Sequence, residues 1–197
     1  MFVLGIDPGL SRCGYGCVEW RDGRCRAVAA GVLTTDTSLA LPVRLAGLRS
    51  ELHELVRELA PSVVVVERVF FQTNARTAMS VGQASGLALL AAAEAGCPVV
   101  EYSSNEVKLA VAGYGSARKD QVQKMVAALL ALAELPRPPD AADALALALC
   151  HLAVTRRERL AGGLQAGPGA AAPARAAAAP ARGGGADPRP VPAGVEL

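Results

Sequence analysis

Short apolar runs and longer stretches of helical periodicity alternate along the chain. Five runs predict strands, and the clearest is four consecutive valines, a pattern typical of a strand buried on both faces. The second and third runs flank Asp22-Gly23, a pair typical of a β-hairpin, so these two strands are expected to be antiparallel. The predicted strands cover residues 3–6, 15–20, 26–34, 63–66 and 98–102.

The helical stretches complete the pattern. Leucines at 45, 48, 52, 55 and 59 are spaced by three and four residues between Pro42 and Pro61, which predicts an amphipathic helix. Ser103 and Glu106 predict a capping box for a short helix that ends at Gly113. The other predicted helices cover 76–95, 119–132 and 140–156. Strands that alternate with helices after a hairpin indicate an α/β domain with a mixed five-stranded sheet.

Composition places this domain in the first four-fifths of the chain. Of 197 residues, 52% are hydrophobic and 19% are charged, which excludes a wholly disordered chain. The last 37 residues contain 27 Ala, Gly and Pro and cannot bury enough apolar surface to offset the entropy lost on ordering. We therefore predict a single domain at 1–158 and a disordered tail at 159–197.

Charge and cysteines bound the class of protein only loosely. A net charge of +2 does not argue for nucleic acid, so any such case depends on local placement. Five cysteines lack a C-x-x-C pair, and the N-terminus lacks a signal sequence. No apolar run is long enough to span a membrane. We expect a cytoplasmic protein with free thiols and no membrane contact.

Four carboxylates lie at the ends of predicted elements. Asp7 and Glu67 end the first and fourth strands, while Asp140 and Asp143 share one face at the start of the last helix. Ligand sites gather at the carboxyl ends of parallel strands, so neighbouring strands would bring these acids together. Oxygen donors without His or Cys suit Mg²⁺ or Mn²⁺ rather than zinc.

Each acid also has a simpler interpretation. Asp7 starts a turn, Glu67 reaches solvent, and Asp140 and Asp143 stabilise a helix N-terminus through capping and the helix dipole. All four together favour a site, because capping does not explain two acids at strand ends.

Four segments, in the same order, resemble the RuvC family of Holliday-junction resolvases over residues 2–155. The resemblance implies a ribonuclease-H-like fold, a homodimer and divalent metal, with the four acids as catalytic residues and metal ligands. It also implies the branch-migration proteins RuvA and RuvB as partners. Ser104 departs from the family, which usually has Pro there. The segments are Gly-Ile-Asp-Pro-Gly-Leu at 5–10, Val-Glu-Arg-Val-Phe at 66–70, Gly-Gln-Ala-Ser-Gly at 82–86 and Asp-Ala-Ala-Asp-Ala-Leu-Ala at 140–146.

The predicted activity is therefore cleavage of four-way DNA junctions by paired incisions. Two Mg²⁺ ions about 3.5–4 Å apart, for which Mn²⁺ can substitute, would activate water and stabilise the leaving oxygen of a phosphodiester. One alternative is a sugar-kinase or actin-like nucleotide binder, but that fold needs two such halves and 158 residues are too few. The other is a junction-binding module with vestigial acids, against which the retention of all four argues.

The lysines favour contact with DNA. Only three residues are Lys against 17 Arg, and Lys108, Lys119 and Lys124 lie within 17 consecutive residues that also include Arg118. Compact cations suit phosphates, although a solvated helix face is the alternative. Lys108 and Lys119 match family positions implicated in DNA contact or catalysis, and Lys124 is interpreted as a surface residue.

Aromatic residues follow Glu67 directly. Phe70 and Phe71 are two of three Phe, and such a ring either folds onto the core or stacks on a base beside the scissile phosphate. The resemblance favours Phe70 as the stacking ring. Asn74 and Arg76 follow in the same segment and are candidate DNA contacts.

The helix predicted over 76–95 is apolar around its circumference. Between residues 77 and 95 only Glu94 is charged, so this helix is expected to be buried on more than one side. Gly82 and Gly86 share one face, which predicts packing against a symmetry mate in a twofold homodimer. The alternative is burial within one subunit beneath the last helix.

Overall fold

The structure, a computed structural model, describes residues 1–68 and 75–165, with the side chains of 75–77 and 162–165 excepted. Five strands and five helices lie within these ranges. The strands are β1 (Phe2–Asp7), β2 (Arg12–Arg21), β3 (Arg24–Thr34), β4 (Val63–Glu67) and β5 (Val99–Tyr102). The helices are α1 (Leu41–Leu59), α2 (Ala75–Glu94), α3 (Ser104–Ala112), α4 (Lys119–Leu129) and α5 (Pro139–Gln165).

The strands form one mixed sheet with the order β3-β2-β1-β4-β5. β2 is antiparallel to both β1 and β3, while β4 is parallel to β1 and β5 is parallel to β4. Asp22 and Gly23 both have positive φ, 51° and 79°, as the predicted hairpin turn requires. The predicted α/β class and mixed five-stranded sheet are confirmed.

Helices cover both faces of the sheet. The valines of β4 alternate, so that Val64 and Val66 pack with α1 and α2, while Val63 and Val65 pack with α3, α4 and α5. All four are at most 4% exposed. Each buried side chain of this size stabilises the fold by about 1.5–3 kcal/mol, so β4 anchors both cores.

Glycines let α5 lie directly on the sheet. A Cβ atom added to Gly5 would collide with the carbonyl oxygen of Ala144, and one added to Gly14 would collide with that of Asp140. Gly16 meets Leu145 in the same way, with a built Cβ 2.7 Å from its backbone nitrogen. The N-terminal half of α5 is therefore held against β1 and β2 at backbone contact distance.

Two predicted helix ends differ from the structure. α4 ends at Leu129 rather than at 132, because Ala131 adopts a left-handed φ of 51°. α5 continues to Gln165 rather than ending at 156, so the predicted domain boundary at 158 lies inside a helix. This part of α5 carries exposed charged residues, and the guanidinium of Arg156 lies 5.7 Å from the centre of the Trp20 ring, within the range of a cation–π contact. Residues 166–197 lie outside the described ranges, and their disorder stays a prediction.

No helix within the described part of the chain is long and apolar enough to cross a membrane.

Candidate active site

The parallel pairing of β1 with β4 places two carboxylates side by side. Ile6 is in register with Val66, so Asp7 and Glu67 leave their strands at the same edge of the sheet. Burial, the charges of Glu67, Asp143 and Asp140 and a hydrogen bond with Glu67 together raise the pKa of Asp7 from 3.8 to about 8, and burial contributes most. The four predicted acids thus lie close enough to repel one another.

The two carboxylates of α5 are compensated by cations from other elements. Arg12 donates from Nε and Nη2 to Oδ2 of Asp140 at 3.0 and 2.8 Å. Lys119, at the start of α4, lies with its Nζ 2.5 Å from Oδ2 of Asp143. In the part of the chain that the structure describes, no three His, Cys, Asp or Glu side chains are grouped closely enough to hold an ion.

The donor set nevertheless fits a divalent cation. All four acids offer hard oxygen ligands, which Mg²⁺ and Mn²⁺ prefer. Among the described residues, neither Asp7 nor Glu67 has an ion pair, and burial together with the neighbouring carboxylates raises the pKa of Asp7. A cation at this edge would remove the repulsion, whereas an apolar or anionic ligand would not.

A cavity of about 230 Å³ opens beside the acids. Asp7, Glu67 and Asp143 line it, and so do Lys108 and Lys119. Its remaining lining consists of Ser104, Val107, Val122, Ala146 and Leu147. Asp140 does not line it, because its carboxylate is turned toward Arg12 at the rim.

The structure does not bring every predicted DNA contact to this cavity. Arg118 is fully exposed and donates two hydrogen bonds to Asp120 at 3.1 Å. Lys124 is exposed on α4, as predicted. Phe70, Phe71 and Asn74 lie outside the described residues, and so does the side chain of Arg76, whose backbone belongs to α2.

The two histidines lie away from the acids. His151 forms hydrogen bonds through Nδ1 with the hydroxyl of Tyr102 at 3.1 Å and through Nε2 with the hydroxyl of Thr155 at 3.4 Å. Burial lowers its pKa. His53 is partly exposed, 3.7 Å from Glu94. All five cysteines are free.

Arg12 and Gly14 are site residues that the sequence analysis missed. They alternate with Gly16 along β2, so all three face α5, and Gly14 is paired with Asp7 across the sheet. The signal in the sequence was the alternation of these residues at every second position along β2, which places them on one face of the sheet. Recognising them as site residues would also have required knowing that α5 covers that face.

A five-stranded mixed sheet with acids at the ends of β1 and β4 and on a helix that crosses them defines the ribonuclease-H-like class. The family model "Crossover junction endodeoxyribonuclease RuvC" matches residues 3–151. This chain belongs to the RuvC family.

Relatives and solved structures agree with that assignment. The crossover junction endodeoxyribonuclease RuvC of Salinispora arenicola is 56% identical over 153 residues, which cover 77% of this chain and 87% of that protein. That of Syntrophomonas wolfei is 49% identical over 152 residues, 77% of this chain and 88% of the relative. The structure of Thermus thermophilus RuvC in complex with a Holliday junction substrate is 38% identical, with a TM-score of 0.76 over 80% of this chain and 96% of that chain.

Proposed function

We propose that this chain is an endodeoxyribonuclease that resolves four-way DNA junctions by paired hydrolysis of phosphodiesters. The observation that carries the proposal is the convergence of Asp7, Glu67 and Asp143 with two lysines at one open cavity, in a member of the RuvC family. A junction-bound structure of the Thermus thermophilus relative supports the choice of substrate.

RuvC-family nucleases need divalent metal, and Asp7, Glu67, Asp140 and Asp143 are the ligands that this chain offers. The chemistry supplied by two Mg²⁺ ions, or by Mn²⁺, is activation of water and stabilisation of the leaving oxygen. The fold positions the four acids for this role. β1 and β4 place two of them at one edge of the sheet, and the glycine contacts hold the first turns of α5, which carry the other two, against β1 and β2.

DNA would be held by cations around the cavity. Lys108 lines it and has no ion pair among the described residues, so its ammonium is available to a phosphate. Lys119 contacts Asp143 and stands between the acids and solvent. Arg118, Phe70 and Arg76 complete the proposed DNA surface, with Phe70 stacking on a base.

An exposed apolar face of α2 supports a homodimer. Met79 is 65% exposed and Leu90 is 43% exposed, and Gly82 and Gly86 lie on the same face, where no atom of the described residues comes within 4 Å of a built Cβ. An apolar face of this kind with small residues at its centre suits close packing against a second copy. The resemblance adds RuvA and RuvB as partners and a cytoplasmic location.

A labelled immobile four-way junction tests the proposal. Incubation with Mg²⁺ is expected to give nicks placed symmetrically in two opposite strands, with none in EDTA and none in linear duplex of the same sequence. Asp143→Asn should abolish the nicks. Asp22→Asn, which changes an exposed acid in the β2–β3 hairpin turn, is the matched control and should cut normally. Equal cleavage of linear duplex, or none in Mg²⁺ or Mn²⁺, would refute the activity.

A further inference from the structure

Arg12 holds one of the four acids outside the cavity. Its Nε and Nη2 both donate to the same oxygen of Asp140, at 3.0 and 2.8 Å. The cavity is lined by Asp7, Glu67 and Asp143 but not by Asp140. The acid that would complete the set is therefore engaged by a guanidinium.

The backbone of Asp140 lies directly against β2. Gly14, two residues beyond Arg12 on β2, lies so close that a built Cβ would collide with the carbonyl oxygen of Asp140 and come within 3.2 Å of its Cβ. The first turn of α5 is thus held against β2. With the backbone in this position, rotation of the Asp140 side chain would carry its carboxylate from the rim into the cavity.

The Arg12 guanidinium is also placed to meet a phosphate. The side chain of Arg12 is 51% exposed, against 28% for Asp140, so the pair lies at the rim with the arginine outermost. Two of the five N–H donors of the guanidinium are used on Asp140, and a guanidinium binds phosphate oxygens at least as readily as a carboxylate. An ion pair this exposed is weak and is screened by salt, so a phosphodiester can displace it.

We propose that Arg12 is a positioning residue that couples DNA binding to metal binding through Asp140. Without DNA the guanidinium withholds Asp140 from the metal-binding set. When a phosphodiester reaches the rim, Arg12 transfers to a phosphate oxygen and the Asp140 carboxylate turns into the cavity. The proposal rests on the proposed function, since it assigns Arg12 to the same site.

Linkage makes the coupling measurable from either side. If DNA frees Asp140 for the metal, DNA must tighten metal binding by the same factor by which the metal tightens DNA binding. Removal of the guanidinium should tighten metal binding in the absence of DNA and weaken the coupling. An arginine that merely oriented Asp140 for the metal would show the opposite sign.

The first experiment measures Mn²⁺ binding to the full chain without DNA, by the paramagnetic resonance signal of free Mn²⁺. Arg12→Ala and Arg12→Gln should bind Mn²⁺ about three- to tenfold more tightly than the wild type, and Arg12→Lys should lie between. Arg24→Ala, which changes an exposed arginine at the other end of the β2–β3 hairpin, should not change the affinity. Unchanged or weaker Mn²⁺ binding in Arg12→Ala and Arg12→Gln would overturn the proposal.

A double-variant cycle shows whether Arg12 acts through Asp140. In an Asp140→Asn background, the change Arg12→Ala should no longer tighten Mn²⁺ binding, and a full gain there would overturn the proposal. A second arm compares junction affinity in EDTA and in Ca²⁺, and Ca²⁺ should tighten junction binding by a smaller factor in Arg12→Ala than in the wild type. Failure of the wild type to cut junctions would refute the proposed function, whereas the Mn²⁺ measurements on protein alone would still decide the role of Arg12.

Discussion

The two pairs of acids at the sheet edge differ in how their charge is balanced. Asp7 and Glu67 come from adjacent parallel strands, so the ladder forces them together, and neither has an ion pair among the described residues. Asp140 and Asp143 come from the first turns of α5, where Arg12 and Lys119 neutralise them. The strand pair therefore stores repulsion that a cation would relieve, while the helix pair must exchange one cation for another.

The largest effect is expected from removing single acids. Asp7→Asn, Glu67→Gln, Asp140→Asn and Asp143→Asn should each lower junction cleavage by at least about a thousandfold, since each removes a proposed metal ligand.

Thermal unfolding in EDTA should distinguish the strand pair of acids from the helix pair. Asp7→Asn should raise the Tm because repulsion is lost, whereas Asp143→Asn should not because an ion pair is lost. The same direction in both variants would contradict the comparison.

Paired incision needs two copies of both acid pairs, so disrupting the proposed dimer is expected to have the next largest effect. Gly82→Arg or Gly86→Arg should give monomers by analytical ultracentrifugation that no longer cut both strands. Gly47→Arg is the matched control, because Gly47 is an exposed helix glycine on α1 and a built Cβ there meets no atom of the described residues within 4 Å. A wild type that sediments as a monomer at micromolar concentration, with and without junction DNA, is incompatible with this prediction.

Gly14→Ala should disturb the helix pair and spare the strand pair. The added methyl group meets the Asp140 backbone, so α5 must shift, at a cost of about 1–3 kcal/mol in unfolding free energy. Cleavage should fall about tenfold while the metal-free pH dependence associated with Asp7 remains. Denaturant unfolding and single-turnover cleavage measure the two effects. Gly115→Ala is the control, because a built Cβ there lies 3.8 Å from the carbonyl oxygen of Asn105.

The smallest effect is expected on the pH dependence of protein stability in the absence of metal, to which the strand pair of acids contributes. Because the pKa of Asp7 is about 8 in the folded chain and 3.8 in the reference state, unfolding releases a proton between those pH values. Stability in EDTA should therefore fall as pH rises from about 4 to about 8. The Tm difference between the wild type and Asp7→Asn should change by a few degrees across this range and flatten in Mg²⁺. A difference that is constant with pH would argue against a shifted Asp7.

His151 changes the pH dependence of stability in the opposite direction. The prediction is therefore stated for the difference in Tm between the wild type and Asp7→Asn. Its pKa is lowered by burial, so the unfolded chain takes up a proton first as pH falls below about 6.5, and stability falls with it. Because His151 is present in both proteins, its contribution cancels in the difference between the wild type and Asp7→Asn.

Local chemistry predicted the elements that need no knowledge of their neighbours. The capping box forms as expected, with Ser103 Oγ accepting from the Glu106 nitrogen and the Glu106 side chain accepting from the Ser103 nitrogen. The four valines are buried on both faces, because continuous β-branched residues have no polar side to expose. Helix ends were predicted less well, since the end of α4 depends on one backbone angle at Ala131.

The sequence by itself determined the strand and helix order, the two strand-end acids and the clustering of the lysines, because each depends on residue type and on short spacing. The tertiary structure alone decided which cation balances which acid. Arg12 and Asp140 are 128 positions apart, and they meet only because Gly5, Gly14 and Gly16 let α5 lie on β1 and β2 at backbone contact. Such pairings depend on how closely two elements can approach each other. The volume of the side chains at the crossing sets that distance, and the periodicity along a single element carries no information about it.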